Sequence, residues 1–138
     1  MNITIIDGHG GQLGAQLVKS IMTEFPEACI TAVGTNATAT SAMLKAGASK
    51  AATGENPVCV ACRNTDVIIG PIGIALADSL YGEVTPKMAV AVGQANAVRI
   101  LIPMNKCDNL VAGVYDLNTS ALIEDVLLKL KKIVKSDR

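Results

Sequence analysis

Near the start of the chain, the apolar run Ile3-Thr4-Ile5-Ile6 leads directly into Asp7-Gly8-His9-Gly10-Gly11-Gln12-Leu13-Gly14. A strand that enters a glycine-rich turn and then a helix builds an anion site. The glycines let the backbone approach a phosphate, and the first turn of the helix presents free N–H groups. The stretch therefore predicts the first strand–helix unit of an α/β fold, with a small phosphate-bearing ligand such as a nucleotide at the turn.

The rest of the chain alternates short apolar runs with helical segments, which is typical of a parallel sheet covered by helices. The sequence predicts strands at residues 2–7, 29–33, 50–52, 66–70 and 98–102. It predicts helices at residues 11–25, 37–46, 85–92 and 119–135, and a short helix that begins with an Asn56 cap and Pro57. We expect one Rossmann-like domain over residues 1–138, a doubly wound and mostly parallel sheet in the order 3-2-1-4-5 with helices on both faces. Residues 110–114 are a candidate antiparallel edge strand.

Two glycine registers compete in the first turn. The G-x-G-x-x-G register finds Gly8 and Gly10 but meets Leu13 where the third glycine belongs, whereas G-x-x-G-x-x-G finds Gly8, Gly11 and Gly14. The second spacing resembles the extended short-chain dehydrogenases and related NADP-binding families. The alternative is a tight strand–helix turn whose glycines serve only close packing.

The end of the second strand bears on the choice of nucleotide. An NAD site of the usual kind has an Asp or Glu there for the ribose hydroxyls, but this strand ends in Gly34-Thr35-Asn36 with no carboxylate nearby in the sequence. The nearest basic residue for a 2′-phosphate is Lys45, one helix later. Neutral donors are available instead, and they either bind a phosphate or ribose or only cap the second helix; they are Thr35, Asn36, Thr38 and Ser41. We favour NADP(H) over NAD as the cofactor.

A second wall of the site is predicted after the fourth strand, because ligands lie where the strand order reverses. The fourth strand delivers Gly70-Pro71-Ile72-Gly73 to that crevice, although these residues also suit an ordinary turn. The candidate cofactor-binding residues are Gly8, His9, Gly10, Gly11, Gln12, Leu13, Gly14, Gly34, Thr35, Asn36, Gly70, Pro71, Ile72 and Gly73.

Catalytic groups are scarce in the sequence. His9 is the single histidine, and no Tyr-x-x-x-Lys dyad of short-chain reductases exists, since Thr85 follows Tyr81 and Thr119 follows Tyr115 at that spacing. We therefore assign no catalytic residue and no reaction. A non-enzymatic ligand sensor or oligomeric scaffold is the alternative function.

The cysteines favour reduced thiols. Cys59 and Cys62 form a C-x-x-C pair without a second pair or a nearby histidine, so two buried helical thiols are favoured over a redox or zinc site, and no metal is expected. Four cysteines without an export signal predict a cytoplasmic protein.

The charge and composition limit the partners. Twelve basic residues balance twelve acidic ones and aromatics are 2%, which argues against nucleic acid or an anionic membrane as a partner. No apolar segment is long enough to span a bilayer. A chain that is 50% hydrophobic with zero net charge predicts a homo-oligomer, with a dimer as the first expectation.

Several motifs together resemble a family of short bacterial proteins known as a domain of unknown function. They are residues 7–14, Gly34-Thr35-Asn36, residues 43–48, 53–56, 66–73 and 85–88. The resemblance covers nearly the whole chain and implies a Rossmann-like fold. It implies no activity, so no catalytic residue is transferred.

Overall fold

A five-stranded sheet with helices on both faces forms the computed structural model, which describes residues 1–104 and 108–136. In chain order the elements are β1 (Asn2–Asp7), α1 (Gln12–Glu24), β2 (Cys29–Gly34), α2 (Ala37–Lys45), β3 (Lys50–Thr53), α3 (Glu55–Ala61), β4 (Val67–Pro71), a 3₁₀ turn (Ile72–Ala75), α4 (Pro86–Gln94), β5 (Val98–Ile102) and α5 (Thr119–Ser136). The order is β3-β2-β1-β4-β5, and each pairing between these strands is parallel. The predicted fold class and strand order are confirmed.

The alternation of side chains along β1 divides the interior into two cores. Ile3 and Ile5 point into the core shared with α1, α2 and α5, whereas Ile6 points into the core shared with α3 and α4. Both faces of the central strand are therefore buried, as expected for a parallel strand covered on both sides. The chain changes faces after β3, which makes the sheet doubly wound.

The helix starts agree with the sequence in one case and differ in another. Thr85 caps α4, because its Oγ1 accepts a hydrogen bond from the Met88 N–H at 3.2 Å, as its Thr-Pro sequence predicts. The prediction that Asn56 caps α3 is wrong, since Gly54 is the cap and Asn56 lies in the first turn. Gly54 adopts a φ of 108°, which lets the chain leave β3 and enter the helix two residues earlier than predicted.

The candidate antiparallel edge strand at residues 110–114 is not formed. The N–H of Val114 donates to the carbonyl of Val111 at 3.2 Å, and Gly113 has a φ of 80°. This turn interrupts the extended backbone that a strand needs. Among the described residues, no helix combines the length and the apolar character required to cross a bilayer.

The parallel strands bring the carboxyl ends of β1, β2 and β4 to the same edge of the sheet. β4 lies so close to β1 that a Cβ at Gly70 would stand 2.3 Å from the carbonyl oxygen of Ile6. The order of the strands reverses between β1 and β4, so the crevice at this edge is where ligands of doubly wound proteins bind.

Candidate functional site

The glycine loop of residues 8–14 connects β1 to α1, and steric contacts separate its two possible registers. A Cβ at Gly11 would lie 2.6 Å from the Cα of Ala39, and one at Gly14 would lie 2.6 Å from the Sδ of Met43. Both glycines therefore let α1 pack closely against α2. A Cβ at Gly10 would meet no atom within 4 Å. The sterically required glycines are those of the G-x-x-G-x-x-G register.

The buried side chain of Asp7 connects the two ends of the glycine loop. Its carboxylate accepts hydrogen bonds from the N–H of Gly8 at 2.8 Å and from the N–H of Gly14 at 2.7 Å, and its side chain is buried. Burial raises the pKa of Asp7, and the two backbone donors offset only part of that increase. Asp7 thus uses one of the free N–H groups at the start of α1. The N–H groups of Gln12 and Leu13 have no acceptor among the described residues and stay available.

Thr35 and Asn36 attach the end of β2 to the loop. The N–H of Thr35 donates to the carbonyl of Asp7 at 2.9 Å, and the side-chain amide of Asn36 donates to the carbonyl of His9 at 2.9 Å. The Oδ1 of Asn36 also accepts from the N–H of Ala39 at 2.8 Å, so Asn36 does cap α2. Two of the predicted neutral donors, Thr35 and Asn36, are therefore at the loop, and Asn36 also caps α2.

A carboxylate from a distant part of the sequence lies beside the end of β2 and the glycine loop. Glu83 belongs to residues 76–85, here called the strap, which connect the 3₁₀ turn to α4. Its Oε1 accepts hydrogen bonds from the Thr35 hydroxyl at 2.5 Å, the Asn36 amide at 3.0 Å and the His9 N–H at 3.2 Å. Partial burial raises the pKa of Glu83, but these hydrogen bonds outweigh it and the pKa lies below its usual value.

The strap covers the crevice at the carboxyl ends of the strands. Leu80 and Val84 are each only 1% exposed and join the core on the α3 and α4 side. The N–H of Asp78 donates to the carbonyl of Val84 at 2.7 Å, which closes the strap on itself. Tyr81 is 96% exposed, and its ring centroid lies 5.7 Å from that of His9.

The predicted site has two walls, the glycine loop and residues 70–73, and both contact the strap. Gly70 and Pro71 are the last residues of β4, whereas Ile72 and Gly73 begin the 3₁₀ turn. A Cβ at Gly8 would lie 2.8 Å from Leu80 and 2.8 Å from Glu83, and one at Gly73 would lie 3.8 Å from Leu80. Leu80 therefore packs against both glycines.

The larger cavities lie beside this region rather than in it. One of about 610 Å³ is lined by residues of β1, β2 and β3 and by residues of α3 and the turn that follows it. Another of about 580 Å³ lies between the strap and residues 108–109. Neither cavity includes a residue of the glycine loop, because Leu80 and Glu83 fill the space above Gly8.

Cys59 and Cys62 do not lie at a helix start, as a reactive thiol pair would. Cys59 is inside α3, and Cys62 is the buried residue that ends this helix. Burial, with a smaller contribution from Cys59, raises the pKa of Cys62 to about 11, which disfavours the reactive thiolate. Within residues 1–104 and 108–136, no cluster of three or more His, Cys, Asp or Glu side chains is arranged to hold a metal ion.

A glycine loop at the reversal point of a parallel five-stranded sheet defines a doubly wound α/β protein of the Rossmann-like class. The chain belongs to the family described as domain of unknown function (DUF3842), whose model matches residues 2–135. The match confirms the membership in a domain-of-unknown-function family that the sequence motifs indicate. Comparisons with curated proteins and with solved structures gave no match.

Proposed function

We propose that this protein binds a phosphate-bearing nucleotide in the crevice at the carboxyl ends of β1, β2 and β4. The nucleotide that we favour is NADP(H). The observation that carries the proposal is the convergence of donors from the loop and from the end of β2 on one carboxylate oxygen of Glu83. Donors that hold a carboxylate have the chemistry to hold a phosphate, since both are anions with several acceptor sites.

The start of α1 supports a second phosphate contact. The N–H groups of Gln12 and Leu13 point from the first turn of the helix and have no acceptor in the described part of the chain. A pyrophosphate bound there would lie at the positive end of the helix dipole. The glycine loop connects the N–H groups of Gln12 and Leu13 to the N–H of His9, so one dinucleotide can use both sets of donors.

The preference for NADP(H) over NAD(H) depends on Glu83. No acidic residue comes directly after β2 in the chain, and the carboxylate found at this place belongs to the strap. A fixed carboxylate selects ribose hydroxyls and repels a 2′-phosphate, whereas a displaceable carboxylate leaves its donors to the phosphate. We propose that Glu83 is a displaceable carboxylate, because it belongs to a connecting segment and not to a strand of the sheet.

Calorimetric titration with NADP(H), NAD(H), FMN, ATP and coenzyme A tests the proposal. The expected result is binding of NADP(H) more tightly than NAD(H), with a loss of affinity in Thr35→Val. Thr23→Val is the matched control, because Thr23 is exposed on α1 and its hydroxyl donates only to the carbonyl of Lys19. Binding of none of these nucleotides to the wild-type protein would overturn the proposal.

We also retain self-association and a cytoplasmic location as proposals. Open surface supports a dimer: the edge strand β3 borders the cavity of about 610 Å³, and Val60 beside it is 47% exposed. Light scattering coupled to size exclusion measures the mass directly, and a monomer at high concentration would overturn the proposed dimer.

A further inference from the structure

We infer that the donor cluster formed by the His9 N–H, the Thr35 hydroxyl and the Asn36 amide is a subsite for a phosphate monoester, and that Glu83 is a built-in competitor for it. The inference rests on the proposed nucleotide function and deepens it, because it names the ligand group and the internal group that it must replace. The monoester class includes the 2′-phosphate of NADP(H).

The geometry of the cluster supports an anion with more acceptors than a carboxylate. The donors lie 2.5, 3.0 and 3.2 Å from a single oxygen of Glu83, and they come from two separate segments of the chain. One carboxylate oxygen has two lone pairs in its plane, so the three donors on Glu83 share two preferred acceptor directions. A tetrahedral phosphate monoester presents three terminal oxygens and gives each donor its own acceptor.

The strap holds Glu83 in place with a backbone that its residues do not favour. Asp78, Leu80 and Tyr81 have φ values of 66°, 55° and 57°, in the left-handed region that side chains with a Cβ rarely adopt. Buried contacts of Leu80 and Val84 offset this cost. The closed strap is therefore a conformation held by its contacts. Loss of the Glu83 contacts shifts the equilibrium between closed and open conformations of the strap toward the open one.

Glu83 and a phosphate exclude one another at the cluster. They need the same donors, and two anions at hydrogen-bond distance from one group of atoms repel strongly where water is partly excluded. A ligand without a monoester phosphate has nothing to replace the carboxylate. Ligand binding and release of the strap are thus linked, and the measured affinity is reduced by the fraction of molecules in which Glu83 stays bound.

Glu83→Gln and Glu83→Ala test the inference, with Glu124→Gln on the exposed face of α5 as the matched control. The probes are inorganic phosphate and adenosine 2′,5′-bisphosphate, titrated by calorimetry, with NAD as the nucleotide that carries no monoester phosphate. If the strap of the wild-type protein is open in about a tenth of the molecules, Glu83→Ala binds the bisphosphate about tenfold more tightly. The affinity for NAD is expected to change much less.

Hydrogen exchange of the strap gives a readout that needs no ligand. Amides of residues 76–85 are expected to exchange faster in both Glu83 variants than in the wild type and in the control. Unchanged exchange together with unchanged bisphosphate affinity would overturn the competitor role while leaving nucleotide binding intact. Weaker bisphosphate binding in Glu83→Ala would assign Glu83 to the ligand contacts and would also overturn it. Binding of neither probe nor NADP(H) to any variant would overturn the proposed function itself.

Discussion

The Thr35 hydroxyl donates to the Glu83 carboxylate at 2.5 Å, although 48 positions separate the two residues in the chain. This hydrogen bond joins the end of β2 to the strap that leads into α4. It places a negative charge beside the glycine loop at the point where the sequence contains only neutral residues. The contact is the structural basis for the first predictions below.

Removal of the Thr35 hydroxyl is expected to destabilise the fold. Thr35→Val keeps the shape of the side chain but withdraws a donor from an ionised acceptor, a change that costs about 1.5–3 kcal/mol in typical proteins. Urea unfolding monitored by circular dichroism measures the difference. Thr23→Val, which loses an exposed hydroxyl, is expected to change stability by less than about 0.5 kcal/mol. Equal stability of the two variants would contradict the prediction.

Acidification is expected to remove the contribution of Glu83. Its pKa in the fold is lower than its ordinary value of 4.5, so the stabilisation is complete above that pH and is lost as the pH falls through the folded pKa. Glu83→Gln lacks this group and loses less stability over the same range. Unfolding free energies of both proteins at several pH values between about 3 and 7 measure the gap. A gap that stays constant across the range would refute the assignment.

Asp7 is expected to show the opposite dependence on pH. Burial raises its pKa above 3.8, so the folded protein holds the proton more tightly than the unfolded chain. Its contribution to stability is greatest below 3.8 and declines as the pH rises through the raised pKa. Carbon-13 detection of the Asp7 carboxyl in a Glu83→Gln background measures this titration without interference from Glu83. A titration midpoint below 3.8 would contradict the prediction.

Two glycines of the loop are expected to respond differently to alanine. In Gly8→Ala the new Cβ would lie 2.5 Å from the Thr35 hydroxyl oxygen and 2.8 Å from Glu83, which predicts a cost of about 1–3 kcal/mol from overpacking. Gly10→Ala meets open space, and its stability should change by less than about 0.5 kcal/mol. Thermal unfolding compares the two variants. A larger loss in Gly10→Ala than in Gly8→Ala would refute the steric account.

Cys62 is expected to react slowly with alkylating reagents. A pKa of about 11 leaves almost no thiolate at neutral pH, and the side chain is buried. Timed treatment with iodoacetamide followed by peptide mass spectrometry should show Cys59 modified before Cys62. Faster modification of Cys62, or a change in oxidant sensitivity in Cys62→Ser, would revive the redox alternative.

The parts of the fold set by short-range patterns could be predicted from the sequence. The apolar runs predict the strands of the sheet. Thr85-Pro86 predicts the start of α4, because the Thr85 cap and the fixed φ of Pro86 both act within the first turn of the helix. The start of α3 was misplaced because Gly54 and Asn56 both suit a cap. The positive φ of Gly54 decided between them, and a backbone angle is not visible in a sequence.

The glycine loop was predictable, but its closest carboxylate was not. Glu83 reaches His9 and Thr35 only because Leu80 and Val84 carry the strap into the second core, and that path depends on long-range packing. The sequence contained one indirect indication, the missing acidic residue after β2. A chain that lacks a carboxylate at that position can supply one from another segment. Cys107, one of the four cysteines predicted to be reduced, lies outside the described residues.

The burial of Leu80 and Val84 has a thermodynamic consequence for any ligand that displaces the strap. Release of Glu83 would expose these apolar side chains to water, and exposure of apolar surface raises the heat capacity. Most ligands lower the heat capacity when they bind, because they cover apolar surface. Here the two contributions oppose each other, so the binding enthalpy should depend only weakly on temperature.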